Sequence, residues 1–338
     1  MKAYNLCAIN DLQYQEVKNP KCPKGWCLVK VKAVGICSSD IPRIFTKGTY
    51  NFPTIPGHEF SGCVARVADD ENKGLIGKKV SVFPLIPCRR CKQCQKGHYE
   101  MCENYDYIGS RRDGAFAEYV AVPVWNLVEL EENVDYKEAA MMEPLAVALH
   151  AIKQSGLCRG DSFGVVGTGM IAFAAAQWAK IKGASSVTVL ARNETKREIA
   201  EKIGNLKYEN IEDSIEEFDV VLEAVGTPCA IEQAIKSVKA GGVLVLMGNP
   251  SGNIELRQNV YWRILRKQLK LVGTWNSVYE RNKDCDWREV KKGLENGEIE
   301  AKTLISHVYS SDKLLDGLEL MRKHKEAYCK VMITWPDD

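Results

Sequence analysis

The chain has 338 residues, 45% of them hydrophobic, and its 46 basic and 44 acidic side chains leave a formal charge of +2. That length exceeds the usual size of one hydrophobic core and predicts two domains, while balanced charge along the whole chain gives no electrostatic case for nucleic acid or a membrane as partner. Thirteen cysteines without a charged-then-apolar leader in MKAYNLCAIN, and no apolar run near the ~18 residues that cross a bilayer, predict a cytoplasmic protein with a small-molecule ligand.

Up to about Ala140 the sequence offers short β-like runs, CLVKVKAVG, GCVARVAD, KKVSVFPLI and AEYVAVP, broken by Gly, Pro and Asn; these predict a mostly β domain with irregular loops. From Phe163 the pattern changes. FGVVG, a helix around Ile171–Ile181, SVTVLA, a charged helix, FDVVLEAVG, a helix Ile231–Val238, GGVLVLMG and LKLVGTW alternate in turn. Val/Leu runs buried on both faces and spaced by helices predict an α/β domain with a doubly wound parallel sheet. After Ser277 the character is mixed, with a helix near Trp287–Glu295 and a last strand CKVMITW. The expected plan is a Rossmann domain, residues 148–277, inserted into a β-rich domain made of residues 1–147 and 278–338, with ligand in the crevice between them.

Within the β-rich part, PCRRCKQCQKGHYEMC gathers Cys88, Cys91, Cys94 and Cys102 in one polar loop. Thiolates at this spacing share a soft metal. A bacterial ferredoxin run closes after three residues with Cys-Pro, whereas here seven residues precede Cys102 and Glu103 follows it, so zinc is favoured over an iron–sulfur cluster. With four protein ligands the ion has no open position and its role is structural.

FGVVGTGMIAF places Gly167 and Gly169 between a predicted strand and a predicted helix, with Ala172 third. This order suits a dinucleotide: a tight turn, backbone amides near a pyrophosphate, and a helix N-terminus facing it. The second strand, SVTVLARN, ends on Ala191 where an acid would bond the ribose of NAD; Arg192 and Asn193 follow, with Lys196 and Arg197 a turn on. Room for a 2′-phosphate beside an arginine favours NADP(H) over NAD(H). A solvated Arg192 in an NAD enzyme is the alternative.

A second set is formed by Cys37 in GICSSD, His58 and Glu59 in IPGHEFSG, and Glu143 in MMEPLAV. Singly, such residues are commonly a buried thiol or a hydrogen-bonded turn. One Cys, one His and one carboxylate together make the three protein ligands of an open, catalytic zinc.

GHEFSG, the cysteine lobe, GICSSD, EPLAV, VVGTGMI, LEAVGTP and the ending KVMI run in the order of the zinc-dependent medium-chain dehydrogenases, which the chain resembles over essentially its whole length. SSDIPRIF, YIGSRRDGAFAEY and ILRKQLKLVGTW are similar to the polyol dehydrogenase branch. The resemblance implies a GroES-like catalytic domain, a catalytic zinc on Cys37, His58 and Glu143, and Glu59 as direct ligand or exchange partner. It implies a structural zinc on Cys88, Cys91, Cys94 and Cys102, and adds Val225 and Gly248 to the cofactor site. Ser39 matches the hydroxyl that carries the substrate proton; Pro42 stands where many relatives continue the relay with histidine, so water or the cofactor ribose would take over. The branch carries Asp where this chain has Ala191. A homodimer or homotetramer is also implied.

The implied reaction interconverts a secondary alcohol of a polyol, in a phosphorylated form such as galactitol 1-phosphate, and its ketose. Arg43, Arg111 and Arg112 are candidate phosphate anchors, unless Arg111 and Arg112 are solvated or paired with Asp106 or Asp113. The alternatives are an NADPH-dependent reductase of an unphosphorylated keto sugar and, further off, a non-catalytic redox-sensing nucleotide-binding protein. His150 reads as structural, and Cys63, Cys158, Cys229, Cys285 and Cys329 as packing residues.

Overall fold

A computed structural model describes residues 1–204, 206–281 and 283–336. Two compact units emerge, one of residues 1–143, 278–297 and 305–338, the other of residues 144–277 and 298–304.

In chain order the first unit contributes β1 (Lys2–Ala8), β2 (Asp11–Glu16), β3 (Trp26–Ile36), β4 (Glu59–Val67), β5 (Lys79–Val82), β6 (Leu85–Ile86), β7 (Asp106–Tyr107), β8 (Tyr119–Pro123) and β9 (Leu127–Glu129). The helix α1 (Met142–Ser155) then carries the unit boundary. The second unit holds β10 (Ser162–Val166), α2 (Met170–Ile181), β11 (Ser186–Ala191), α3 (Arg197–Lys202), β12 (Lys207–Asn210), β13 (Phe218–Glu223), α4 (Pro228–Lys236), β14 (Val238–Leu246), α5 (Gln258–Arg266) and β15 (Lys270–Gly273). The chain returns with α6 (Asp286–Glu295), β16 (Ile305–Ser310), α7 (Leu314–Lys323) and β17 (Lys330–Thr334).

Strand β3 organises the first unit because its eleven residues are Val-rich and almost wholly buried. Irregularities after Leu28 and Val31 let it bend, so that Trp26–Lys30 pair with β8 and Ala33–Ile36 with β17, while β4 runs antiparallel beside it. The seven-stranded sheet has the order β16-β17-β3-β4-β5-β9, with β8 on β3. Its core includes Val29, Val31, Val34, Phe60, Val80, Phe116, Leu318 and Val331. Register matters most at one end, where Gly35 faces Glu59 and Ile36 faces Val331. Cys37, His58 and Lys330 therefore sit at the same end of three neighbouring strands.

The second unit carries six parallel strands in the order β12-β11-β10-β13-β14-β15. Counted within the unit this is 3-2-1-4-5-6, the doubly wound arrangement. Strands β10, β11 and β13 are buried nearly throughout, as the apolar runs require. Helix α2 is Ala-rich and mostly buried, and the Trp178 indole donates to the Leu145 carbonyl at 3.1 Å. Residues 298–304 pack here, through the Glu300 amide on Gln177 Oε1 at 2.8 Å, although the sequence placed all of 278–338 in the other domain. A seven-residue return to the helical layer carries no periodic signal of its own.

The β1–β2 hairpin and α7 were not anticipated. Among the described residues no helix is long and apolar enough to cross a membrane.

Candidate metal and dinucleotide sites

The sulfurs of Cys88, Cys91, Cys94 and Cys102 lie within 4.8 Å of one another. Cys88 and Cys94 are 3.9 Å apart, and Cys91 and Cys102 4.0 Å. Four sulfurs ~2.3 Å from a tetrahedral ion would be about 3.8 Å apart, so the set fits zinc as it stands. Local backbone makes it so: the Cys94 amide caps a short helix, Lys92–Gln95, on the Cys91 sulfur, and the Cys88 amide reaches the Cys102 sulfur at 3.2 Å. Amide donors, the Arg90 amide first, hold Cys88 down at about 6, while burial pushes Cys94 up to about 12. A shared cation would remove the second penalty.

Cys37, His58 and Glu59 form the second set, again with ligand atoms within 4.8 Å. Cys37 follows β3, and Glu59 opens β4 opposite Gly35. The Ser39 hydroxyl donates to the Cys37 sulfur at 3.2 Å. Glu143 is not within this group. It lies in the first turn of α1, buried, and its Oε1 accepts from the Tyr107 hydroxyl at 3.3 Å. Burial first, and then the charge of Glu59, push its carboxyl up to about 7 against the opposing pull of His58 and Lys330.

Three side chains to which the sequence reading gave no role hold this set. Asp40 is fully buried; one oxygen accepts the Cys37 amide at 3.0 Å, the other stands 2.5 Å from Arg43 Nη1 and 3.6 Å from His58 Nδ1. Among the described residues that nitrogen has no other polar partner within hydrogen-bond length. A carboxylate behind a histidine orients the ring and raises its basicity, a common arrangement in metal sites. Despite the cost of burial, Asp40 holds the His58 imidazole well above its ordinary range. Lys330, 4% exposed, forms an ion pair with Glu59 Oε2 and reaches the Ile36 carbonyl at 3.3 Å. Burial alone would lower its pKa, but Glu59 and Cys37 hold it raised. Tyr107, the third, meets the His58 ring edge-on at 5.7 Å, and burial, with Glu143 beside it, keeps its phenol well above the usual range. The motif GICSSD contained the signal for Asp40; for Lys330 and Tyr107 there was none, since their partners are remote in sequence.

In the second unit a cavity of about 340 Å³ opens at the C-terminal ends of β10 and β11. Gly167, Gly169, Ala191, Arg192 and Val225 line it, with Thr168, Asn193, Glu212 and Cys229. Gly167 adopts φ +120°, where other residues are strained, and makes the turn into α2. Ala191 ends β11, buried and without polar reach. Glu194, the acid nearest to Ala191 in sequence, is ion-paired with Arg197, whereas Glu212 lies on the cavity wall itself. Arg192 is exposed and, among the described residues, has no recorded partner. Three sequence candidates lie off the cavity wall. Ala172 lies within α2 on its buried side, Lys196 donates to the Thr168 carbonyl at 2.9 Å, and Gly248 packs against the backbone of Gly226, 2.0 Å from where a Cβ would stand. Gly248 is thus needed for the close approach of two loops.

Two family models match: the alcohol dehydrogenase GroES-like domain over residues 23–132 and the zinc-binding dehydrogenase domain over residues 171–292. Galactitol 1-phosphate 5-dehydrogenase of Escherichia coli K12 is 32% identical over 290 residues, 82% of this chain and 84% of that one. The chain belongs to the zinc-binding alcohol dehydrogenases. It is a zinc-dependent oxidoreductase of the medium-chain alcohol and polyol dehydrogenase type. Among solved structures, a zinc-binding dehydrogenase from Sinorhizobium meliloti bound to NADP has a TM-score of 0.89 at 29% identity, covering 98% of both chains. E. coli galactitol-1-phosphate dehydrogenase has a TM-score of 0.88 at 29% identity, covering 99% of this chain and all of that one.

In this dehydrogenase the three candidate phosphate anchors are already engaged. Arg43 is paired with buried Asp40. Arg111 is stacked between Tyr50 and Tyr105, 4.3 Å from each ring, and donates to the Tyr105 carbonyl at 3.0 Å. Arg112 bonds Asp106 at 2.6 Å and covers the Trp26 ring at 4.6 Å. Asp113 instead accepts the Ile55 amide at 3.0 Å. Cys285 and Cys329 are buried, but Cys158 and Cys229 are exposed, which corrects their reading as packing residues.

Proposed function

We propose that this dehydrogenase interconverts a secondary alcohol of a polyol and the corresponding ketose with NADP(H), a phosphorylated hexitol such as galactitol 1-phosphate being the first substrate to test. The Cys37–His58–Glu59 group, with a serine hydroxyl on its sulfur, is the observation that carries the reading. A zinc ion held by Cys37, His58 and a carboxylate would supply a Lewis acid that makes a hydroxyl acidic, as it takes water from a pKa of about 15.7 to about 7. A nicotinamide held in the cofactor cavity would supply the acceptor or donor of the hydride.

The protein's own part is to orient and to move a proton. Asp40 aims the His58 ring, Lys330 holds one oxygen of Glu59, and Ser39 is the hydroxyl placed to exchange the substrate proton. Pro42 offers no continuation, so the proton passes from Ser39 to water or to the cofactor ribose. The four-cysteine lobe fastens a loop with little apolar content. In the cofactor cavity, Gly167 and Gly169 bring the start of α2 to the pyrophosphate, and Arg192 beside Ala191 receives a 2′-phosphate.

The engagement of Arg43, Arg111 and Arg112 favours a second reading, an unphosphorylated polyol or keto sugar. Steady-state kinetics with galactitol 1-phosphate and galactitol, and with NADPH and NADH on the ketoses, separates these readings. A higher kcat/KM for galactitol than for its phosphate removes the phosphorylated substrate, and a higher value with NADH removes NADP(H).

Self-association is part of the reading. Tyr261, Trp262 and Leu265 on α5, Leu271 on the edge strand β15, and Trp275 are all exposed. An open edge beside so many apolar side chains suits a second copy of the chain as a homodimer, or a homotetramer built from it. A cytoplasmic location fits the lack of any disulfide among the described cysteines.

A further inference from the structure

Two buried carboxylates, Glu59 and Glu143, stand near Cys37 and His58, and each has its own partner. Glu59 is tied through Oε2 to Lys330 and lies within the ligand group. Glu143 is tied through Oε1 to the Tyr107 hydroxyl and lies outside it. Tyr107 is itself anchored, since it belongs to β7, whose pairing with β6 sets Tyr107 opposite Leu85. Its ring rests edge-on against His58 at 5.7 Å and against Tyr105 at 6.1 Å. A phenol held on a strand, against the very histidine of the group, can keep a carboxylate of a neighbouring helix at a set distance.

The difference matters because a metal with four protein ligands is closed, whereas catalysis needs one position for substrate. Cys37, His58 and Glu59 supply three. Glu143 would supply a fourth.

The geometry points to Tyr107 as a positioning residue that withholds Glu143 from the metal and so keeps the fourth position open for substrate. This rests on the reading of Cys37, His58 and Glu59 as the catalytic metal site. Tyr107 is not in the ligand group; it acts through Glu143. Without the hydroxyl, Glu143 is free to join the group, and the site becomes tighter and less available.

The test is zinc release from the holoenzyme to an excess of chromogenic chelator, the relevant equivalent being the one absent from Cys37→Ser. Tyr107→Phe keeps the ring against His58 and removes only the donor. It is expected to slow release of that equivalent about tenfold, or ~1.4 kcal/mol, the low end for a hydrogen bond to a charged group and apt for a length of 3.3 Å. In a Glu143→Ala background the same substitution is expected to change nothing, which separates withholding from a general loosening of the fold. Release from Tyr107→Phe at or above the wild-type rate overturns the inference, as does equal slowing in both backgrounds. A wild-type enzyme with no Cys37-dependent equivalent overturns the metal-site reading itself.

Discussion

Replacing Lys330 by Met tests how the sheet end around the candidate metal centre is held together. Lys330 is 4% exposed and Glu59 2%, so neither charge is hydrated to a useful extent and their attraction is little screened. Met keeps most of the lysine stem and removes the charge. In the metal-free protein Glu59 then stays buried without a counter-charge, a situation that costs about 3–5 kcal/mol, and the Ile36 carbonyl loses a donor worth ~1 kcal/mol. The expected destabilisation is therefore about 4 kcal/mol. Because the two units need not unfold together, global melting is a poor measure. Hydrogen exchange of the amides in β3, β4 and β17 reports on this sheet directly, and their protection should fall by about three powers of ten. Adding Glu59→Gln should restore most of it, since removing both charges costs far less than stranding one. Raising salt from 0.1 to 1 M should leave the effect of Lys330→Met nearly unchanged. A loss below ~1 kcal/mol, or a double variant no better than the single one, would refute the argument that buried charge holds this site.

Arg192→Ala should lower kcat/KM with NADPH by about 10- to 100-fold and leave NADH unaffected, as one or two charge-assisted bonds to a phosphate predict; equal losses with both cofactors would place Arg192 away from the 2′-phosphate. Cys91→Ser should reduce bound zinc from two to one per chain, read by elemental analysis, and loosen the lobe to proteolysis before it affects the rest of the fold. Asp219, held at about 2 by Lys239 at 2.8 Å and by the Ser162 hydroxyl and amide, contributes stability that is present above pH ~4 and lost as pH falls through 2. Its side chain is 40% exposed, so after solvent screening ~1 kcal/mol is expected; Lys239→Met should flatten acid unfolding of the second unit in that window.

Much of this molecule is written in short stretches. Each buried strand of the second unit is a run of Val and Leu between helices, so FGVV, SVTVLA and FDVVLE declare a parallel sheet before any contact is known, and the helix starts and ends fall within a few residues of their expected places. Four cysteines within 15 residues can hardly avoid one another, because the loop is too short to carry them apart. The glycine turn is equally local: Gly167 needs a left-handed backbone where the strand meets its helix.

What the sequence leaves open involves partners brought together by sheet register. Lys330 meets Glu59 across 271 positions, and Tyr107 meets Glu143 across 36. Likewise, nothing in SRRDG or PRIF tells that Arg112 will bond Asp106 or that Arg43 will turn to Asp40, and so three apparent phosphate anchors are engaged within the protein. Composition, periodicity and spacing determined the class of fold, the cysteine lobe and the residues from which a site could be built. Only the tertiary structure decided which carboxylate stands beside Cys37 and His58, because side-chain neighbours there follow from the pairing of β3 with β4 and β17, a choice made by burying whole strand faces and invisible in any one segment.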